Sequence, residues 1–131
     1  MIILDTSFLI DLAKDERLAG ALPEDEVPVT TVITYYEIMA GLKRFRSKKE
    51  MAFFRRFFAE TDILEMTLPA ADIASSLGAR MAGTGRPANA FDILITGITL
   101  AHHGKGIITA DADFSEIAKF ADINVIGYSP P

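Results

Sequence analysis

Cysteine is absent from this 131-residue chain. That excludes disulfides, thiolate metal sites and a cysteine nucleophile. Histidine is scarce: His102 and His103 are the only two, and they are adjacent. Neighbours in sequence do not share a helix face, which disfavours zinc and leaves no credible Ser-His-Asp arrangement. The pair is expected at the C-terminal end of its helix, where a cation suits the dipole. No long hydrophobic run is present. The longest strongly apolar uncharged stretch, Ile93 to Gly104, is too short to span a bilayer. The start has neither the basic segment nor the cleavage site of a signal peptide. The expectation is a soluble, cytoplasmic protein with no membrane partner. There is no GxxxxGK[ST] phosphate loop, repeat, linker or low-complexity segment. A single domain over residues 1–131 follows.

Positive charge is also in deficit. Thirteen Lys and Arg face eighteen Asp and Glu, for a net charge of −5. That argues against a general nucleic-acid coat but not against local binding. Seven of the thirteen cations, Lys43, Arg44, Arg46, Lys48, Lys49, Arg55 and Arg56, fall within one short segment. A basic flank beside an acidic cleft suits an enzyme acting on a polyanion; a solvated helical face is the plain alternative.

Half of the residues are hydrophobic, enough for a sizeable core. Ile2-Ile3-Leu4 does not alternate with polar residues, so it reads as a strand buried on both faces. Further strands are read at 27–31, 63–66, 107–109 and 124–126. Helices are read between them: a short one carrying Phe8, Leu9 and Leu12 and capped by Thr6 or Ser7, then 34–43, one opened by the capping box Ser47-Lys48-Lys49-Glu50, 69–82, 90–102 stopped by Gly104, and 114–120. The alternation predicts an α/β fold: a three-layer α/β/α sandwich around a central, mainly parallel five-stranded sheet. Phe53, Phe54, Phe57 and Phe58 form a wide aromatic stripe on the third helix. It reads as core first and as a partner surface second.

Five acids stand out: Asp5, Glu37, Asp92, Asp111 and Asp113. Asp5 and Asp111 each follow a short apolar strand, and open parallel sheets place ligands outside the carboxyl ends of their strands. Asp92 opens a helix that is apolar almost all round and has no Lys or Arg. A buried carboxylate needs a partner or must give up its charge. One divalent cation would satisfy several acids at once, and an all-oxygen donor set points to Mg²⁺ or Mn²⁺. Each acid has a structural rival. Thr34 and Asn89 stand three residues before Glu37 and Asp92, so those acids can be helix-start residues; Asp113 can itself be a cap; Asp5 and Asp111 can be turn residues. The chemical case rests on the set.

The chain resembles the PIN-domain ribonucleases, most of all the VapC toxins of prokaryotic toxin–antitoxin pairs. Four pieces in order carry the resemblance: Ile3-Leu4-Asp5-Thr6-Ser7; Thr34-Tyr35-Tyr36-Glu37-Ile38 with Gly41; Phe91-Asp92-Ile93-Leu94-Ile95; and Ile108-Thr109-Ala110-Asp111-Ala112-Asp113-Phe114. The resemblance implies a Mg²⁺- or Mn²⁺-dependent endoribonuclease. It places catalytic and metal-binding acids at Asp5, Glu37, Asp92 and Asp111, with Thr6, Ser7, Thr109 and Asp113 in support. It also implies a homodimer and a VapB-like antitoxin, for which the phenylalanine stripe is a candidate surface. Arg86, Lys43, Arg44 and Arg46 are candidates for holding RNA phosphates. One departure is Asn89-Ala90-Phe91 before Asp92, where a small residue is common. The rivals are a catalytically silent interaction module of the same fold and a phosphoacceptor receiver domain. The receiver reading lacks a paired acid after the first strand and a Lys after the last.

Overall fold

The structure is a computed structural model that describes residues 1–131. Five parallel strands form one sheet: β1 (Ile2–Leu4), β2 (Pro28–Thr31), β3 (Ile63–Leu64), β4 (Gly106–Ile108) and β5 (Asn124–Ile126). Their spatial order is β3-β2-β1-β4-β5. Strand β1 lies at the centre, paired with β2 on one side and β4 on the other. Its three residues are buried on both faces, which is why they read as an unbroken apolar run. The order differs from the 2-1-3-4-5 order of receiver domains. The direction of winding reverses between β1 and β4, so the crevice at their carboxyl ends is a switch point where α/β sheets place ligands.

Six α-helices cover the sheet: α1 (Thr6–Lys14), α2 (Val32–Phe45), α3 (Lys48–Glu60), α4 (Leu68–Gly83), α5 (Ala90–Ala101) and α6 (Asp113–Ile117). A short 3-10 helix, Glu16–Ala21, follows α1. One side of the core joins Phe8, Leu9, Ile38, Leu42 and Phe54 to Leu4 and Ile108. The other joins Leu77, Met81, Ile95, Phe114 and Ile117 to Ile3 and Ile107. The sheet is thus sealed on both faces, as a parallel sheet requires.

Several helix starts differ from the sequence reading. Helix α1 is capped not by Thr6 or Ser7 but by Asp5, whose side chain accepts from the Ser7 N–H. Helix α2 begins at Val32 rather than Thr34, and its cap is Thr31, which accepts from the Thr34 N–H. Glu37 is therefore past the first turn, and the helix-start account of it fails. Asp113 is the first residue of α6 and not its cap; that position belongs to Ala112, which has no side chain to offer. The third strand stops at Leu64, two residues early. Ser47 does cap α3 through the Glu50 N–H. At the end of α5 the left-handed residue is His103 (φ 58°), not Gly104. Gly104 donates back to the Thr99 carbonyl at 2.8 Å and leaves room for Ile3, which a Cβ there would meet at 3.2 Å.

Helices α4 and α5 pack most closely. A Cβ on Gly97 would come 2.5 Å from the Ala70 carbonyl oxygen and 2.9 Å from the Ala74 Cβ. Gly97, Ala70 and Ala74 therefore let the two backbones touch. This contact fixes the height of α5, and with it the place of Asp92.

Candidate metal centre

Asp5 leaves the end of β1 and is only 2% exposed. Its Oδ2 accepts from Thr109 Oγ1 at 2.7 Å and from Ser7 Oγ at 2.9 Å. Both hydroxyls also accept from backbone just after β4: Ala110 N–H donates to Ser7 Oγ, and Asp111 N–H donates to Thr109 Oγ1. The two hydroxyls thereby tie the ends of β1 and β4 together across the switch point. Burial pushes the Asp5 carboxyl above the usual range, and the hydrogen bonds from Thr109 and Ser7 pull it back.

Glu37 enters from α2. Thr6 Oγ1 donates to its Oε1 at 2.8 Å, and the same hydroxyl lies 3.0 Å from Thr34 Oγ1. Burial raises the Glu37 carboxyl; the Thr6 bond opposes this, and the charges of Asp5 and Asp111 add to it.

Asp92 enters from α5 and is 7% exposed. It stands at the third position of its helix, as the capping pattern predicts, yet its side chain does no capping. Asn89 caps α5 by accepting from the Phe91 N–H. Asp92 Oδ2 is buried without a hydrogen-bond partner, and no other buried side-chain polar atom is in that state. Burial, followed by the charges of Asp111, Asp5 and Asp113, pushes its pKa up to about 8.

Carboxylate oxygens of Asp92, Asp111 and Asp113 lie within 4.8 Å of one another. Asp111 Oδ1 accepts from the Asp113 N–H at 2.9 Å, which turns the chain after β4 back toward the cleft. No Lys, Arg or His pairs with Asp5, Glu37, Asp92, Asp111 or Asp113. A cluster of carboxylates around an orphaned oxygen, with no organic cation to neutralise it, fits a hard divalent cation. Asp92, Asp111 and Asp113 could hold it directly, with Asp5 and Glu37 beside them. Asp113 thus shares the cluster with Asp92 and Asp111, and Asp5 gives only its Oδ2 to the hydroxyls of Thr109 and Ser7.

None of the basic candidates pairs with these acids. Lys43, Arg44 and Arg46 lie beyond Glu37 toward the far end of α2, about 9 Å or more along its axis. Lys43 and Arg46 instead line a separate surface groove with Lys48 and Arg55. Arg86 is exposed and lies 3.8 Å from Glu116. His102 is at the C-terminal end of α5 as expected, its N–H donating to the Ile98 carbonyl, while its ring Nε2 donates to the Glu65 carbonyl. Thr34 belongs to the site's hydroxyl network, although the sequence presents it only as a cap. Tyr128, which no sequence pattern marks, donates to Asp11 Oδ2 at 2.7 Å and packs edge-on against Phe8, holding the C-terminal segment to α1.

The PIN domain family model matches residues 2–120. The chain is a PIN domain protein. Solved structures agree with this PIN fold. VapBC2 of Rickettsia felis bound to a promoter DNA fragment superposes with a TM-score of 0.82 at 14% identity, over 98% of this chain and 100% of that one. VapBC-5 of Mycobacterium tuberculosis gives 0.77 at 25% identity, over 96% and 97%. VapC20 of Mycobacterium tuberculosis, a toxin that cleaves the sarcin–ricin loop, gives 0.67 at 19% identity, over 95% and 99%. No curated protein matches by sequence. The five-stranded parallel sheet of the PIN domain is the one the sequence predicts. No helix is long and apolar enough to cross a membrane.

Proposed function

We propose that the protein is a VapC-type endoribonuclease that uses Mg²⁺ or Mn²⁺ to hydrolyse RNA phosphodiesters. The observation that carries this reading is the orphaned oxygen of Asp92 among acids that no side-chain cation neutralises. Asp5, Asp92 and Asp111 would hold the metal, Asp113 would complete the cluster, and Glu37 would ligate directly or through water. When bound, the cation supplies a Lewis acid that activates water and stabilises charge on the attacked phosphate.

The chain's own residues supply the rest. Ser7 and Thr109 hold Asp5 in one rotamer, so the acid needs no rearrangement at the moment of reaction. Thr6 fixes Glu37, whose raised pKa suits it to orient the attacking water and accept its proton.

The similarity to VapBC complexes favours a VapB-like antitoxin as partner and a homodimer as the working form. In the phenylalanine stripe only Phe54 is fully buried. Phe53 and Phe57, with Leu12, Ala19 and Ala52, line a groove of about 600 Å³ between α3 and the α1 segment. An apolar antitoxin segment suits that groove, so the stripe is core on one edge and docking surface on the other.

The test is cleavage of a short single-stranded RNA by the purified chain. Cleavage should require Mg²⁺ or Mn²⁺ and vanish in Asp5→Ala and Asp92→Asn variants whose circular dichroism is native. Cleavage that survives a chelator would sink the mechanism. Intact folding with no Mn²⁺ affinity would favour the silent-module reading.

A further inference from the structure

Helices α2 and α5 each carry an exposed aromatic residue immediately before an acid of the cleft. Tyr36 precedes Glu37 and is 58% exposed; Phe91 precedes Asp92 and is 37% exposed. The two rings meet across the helix pair, with centroids 5.7 Å apart and planes inclined at 68°. The edge-to-face contact joins them into one unit that bridges α2 and α5, one residue before Glu37 and Asp92, and leaves ring surface open to solvent. Neither residue is needed for the core: both lie outside the two buried clusters.

The electrostatics of the cleft bear on what that surface is for. Five carboxylates converge there, and a polyanionic substrate must approach them. Of the candidate cations, Lys43 and Arg46 line the groove at the end of α2, and the exposed Arg86 lies 3.8 Å from Glu116. No Lys, Arg or His pairs with the five acids, so attraction to phosphate at the acids falls to the bound cation. Stacking needs no charge, and every nucleobase has a face to offer. Neither ring carries the forked donors and acceptors that read a base edge, so stacking here would be tolerant of base identity. It would demand an unpaired base, because a base inside a duplex has no free face.

We propose that Tyr36 and Phe91 form a stacking platform for one unpaired nucleobase of the RNA, next to the bond that is cut. This rests on the ribonuclease reading above and assigns two residues of this chain to hold a base. The departure at Asn89-Ala90-Phe91 then has a purpose, since it supplies the exposed ring that meets Tyr36 one residue before Asp92.

The experiment uses the full chain and a short single-stranded RNA that the wild type cleaves with Mn²⁺. 2-Aminopurine is placed at each position in turn, and binding is followed with the uncleaving Asp92→Asn variant. Quenching at one position beside the cleavage point is expected. Adding Tyr36→Ala or Phe91→Ala should abolish that quench, and Tyr36→Phe should keep it. In the otherwise wild-type chain, Tyr36→Ala should lower kcat/KM about tenfold or more. An abasic site at the quenched position should weaken binding by a similar factor, and Tyr36→Ala should then cost nothing further. Mn²⁺ affinity and circular dichroism, measured on each variant, separate a lost platform from a damaged fold. Unchanged quenching and unchanged KM in both alanine variants overturn the platform while the ribonuclease reading stands. So does loss of self-association or of antitoxin binding with RNA cleavage intact, since the rings would then cover a protein contact. No cleavage of any single strand by the wild type overturns both.

Discussion

Replacing Asp92 by Asn should make the metal-free protein more stable, although it removes an acid of the candidate site. The carboxyl is 7% exposed, has an unpartnered oxygen, and titrates at about 8 because of burial and its acidic neighbours. In the unfolded chain it titrates near 4. A raised acid pKa means that the fold favours the protonated form. Its stability is complete below about pH 4 and declines as pH rises toward 8. At pH 7 the full shift would cost at most ~4 kcal/mol. Water at the cleft mouth screens part of this, so about 2 kcal/mol is a sounder expectation. Asparagine has nearly the same shape, carries no charge and does not titrate. In chelator at pH 7, Asp92→Asn should raise Tm by roughly 5–10 °C. The gap should open from about pH 4 and level off above about pH 8. Saturating Mn²⁺ should stabilise the wild type by about 3 kcal/mol at a hundred times its Kd and close the gap or reverse it. Thermal unfolding with and without chelator across that pH range is the assay. A variant no more stable than the wild type in chelator at pH 7 would refute the reasoning, because Asp92 would then have a neutralising partner.

Two further outcomes follow from the packing around the site. Gly97→Ala should destabilise by about 2–3 kcal/mol in urea unfolding, since its methyl would meet Ala70 and Ala74 well inside contact distance, and it should weaken Mn²⁺ binding by displacing Asp92. Thr109→Val should cost about 1–2 kcal/mol in the same assay and move the Asp5 titration upward by NMR; it removes both the 2.7 Å bond to Asp5 and the acceptor for the Asp111 N–H.

The fold was legible because its strands and helices carry local signals that tertiary context does not override. Ile2-Ile3-Leu4 reads as a doubly buried strand and is one. The apolar circumference of α5 reads as burial, and residues from Ile95 to Thr99 are buried. Ser47 caps where its box predicts. Helix starts failed where β-branched residues blur the boundary. Thr30-Thr31-Val32-Ile33 is a continuous β-favouring run, so the switch from strand to helix at Val32 leaves no local mark. The helix-start rival for Glu37 arises from that missing mark and disappears once α2 begins at Val32. The cations from Lys43 to Arg46 look close to Glu37 on paper, but the rise of the helix carries them away from it. The contact of Tyr36 with Phe91 depends on how α2 and α5 cross, which no local pattern encodes.

Asp5 closes the end of α1 as well as the floor of the cleft. Asp92 does no comparable structural work. The two acids are therefore exposed to different evolutionary pressures. If a descendant of this chain were released from its catalytic duty, drift from Asp92 to an uncharged residue of similar size would meet no resistance from folding and would even be favoured. Drift at position 5 would unfasten a helix. Decay of the activity should leave a recognisable fossil order: Asp92 lost early, Asp5 persisting long after there is nothing left for it to catalyse.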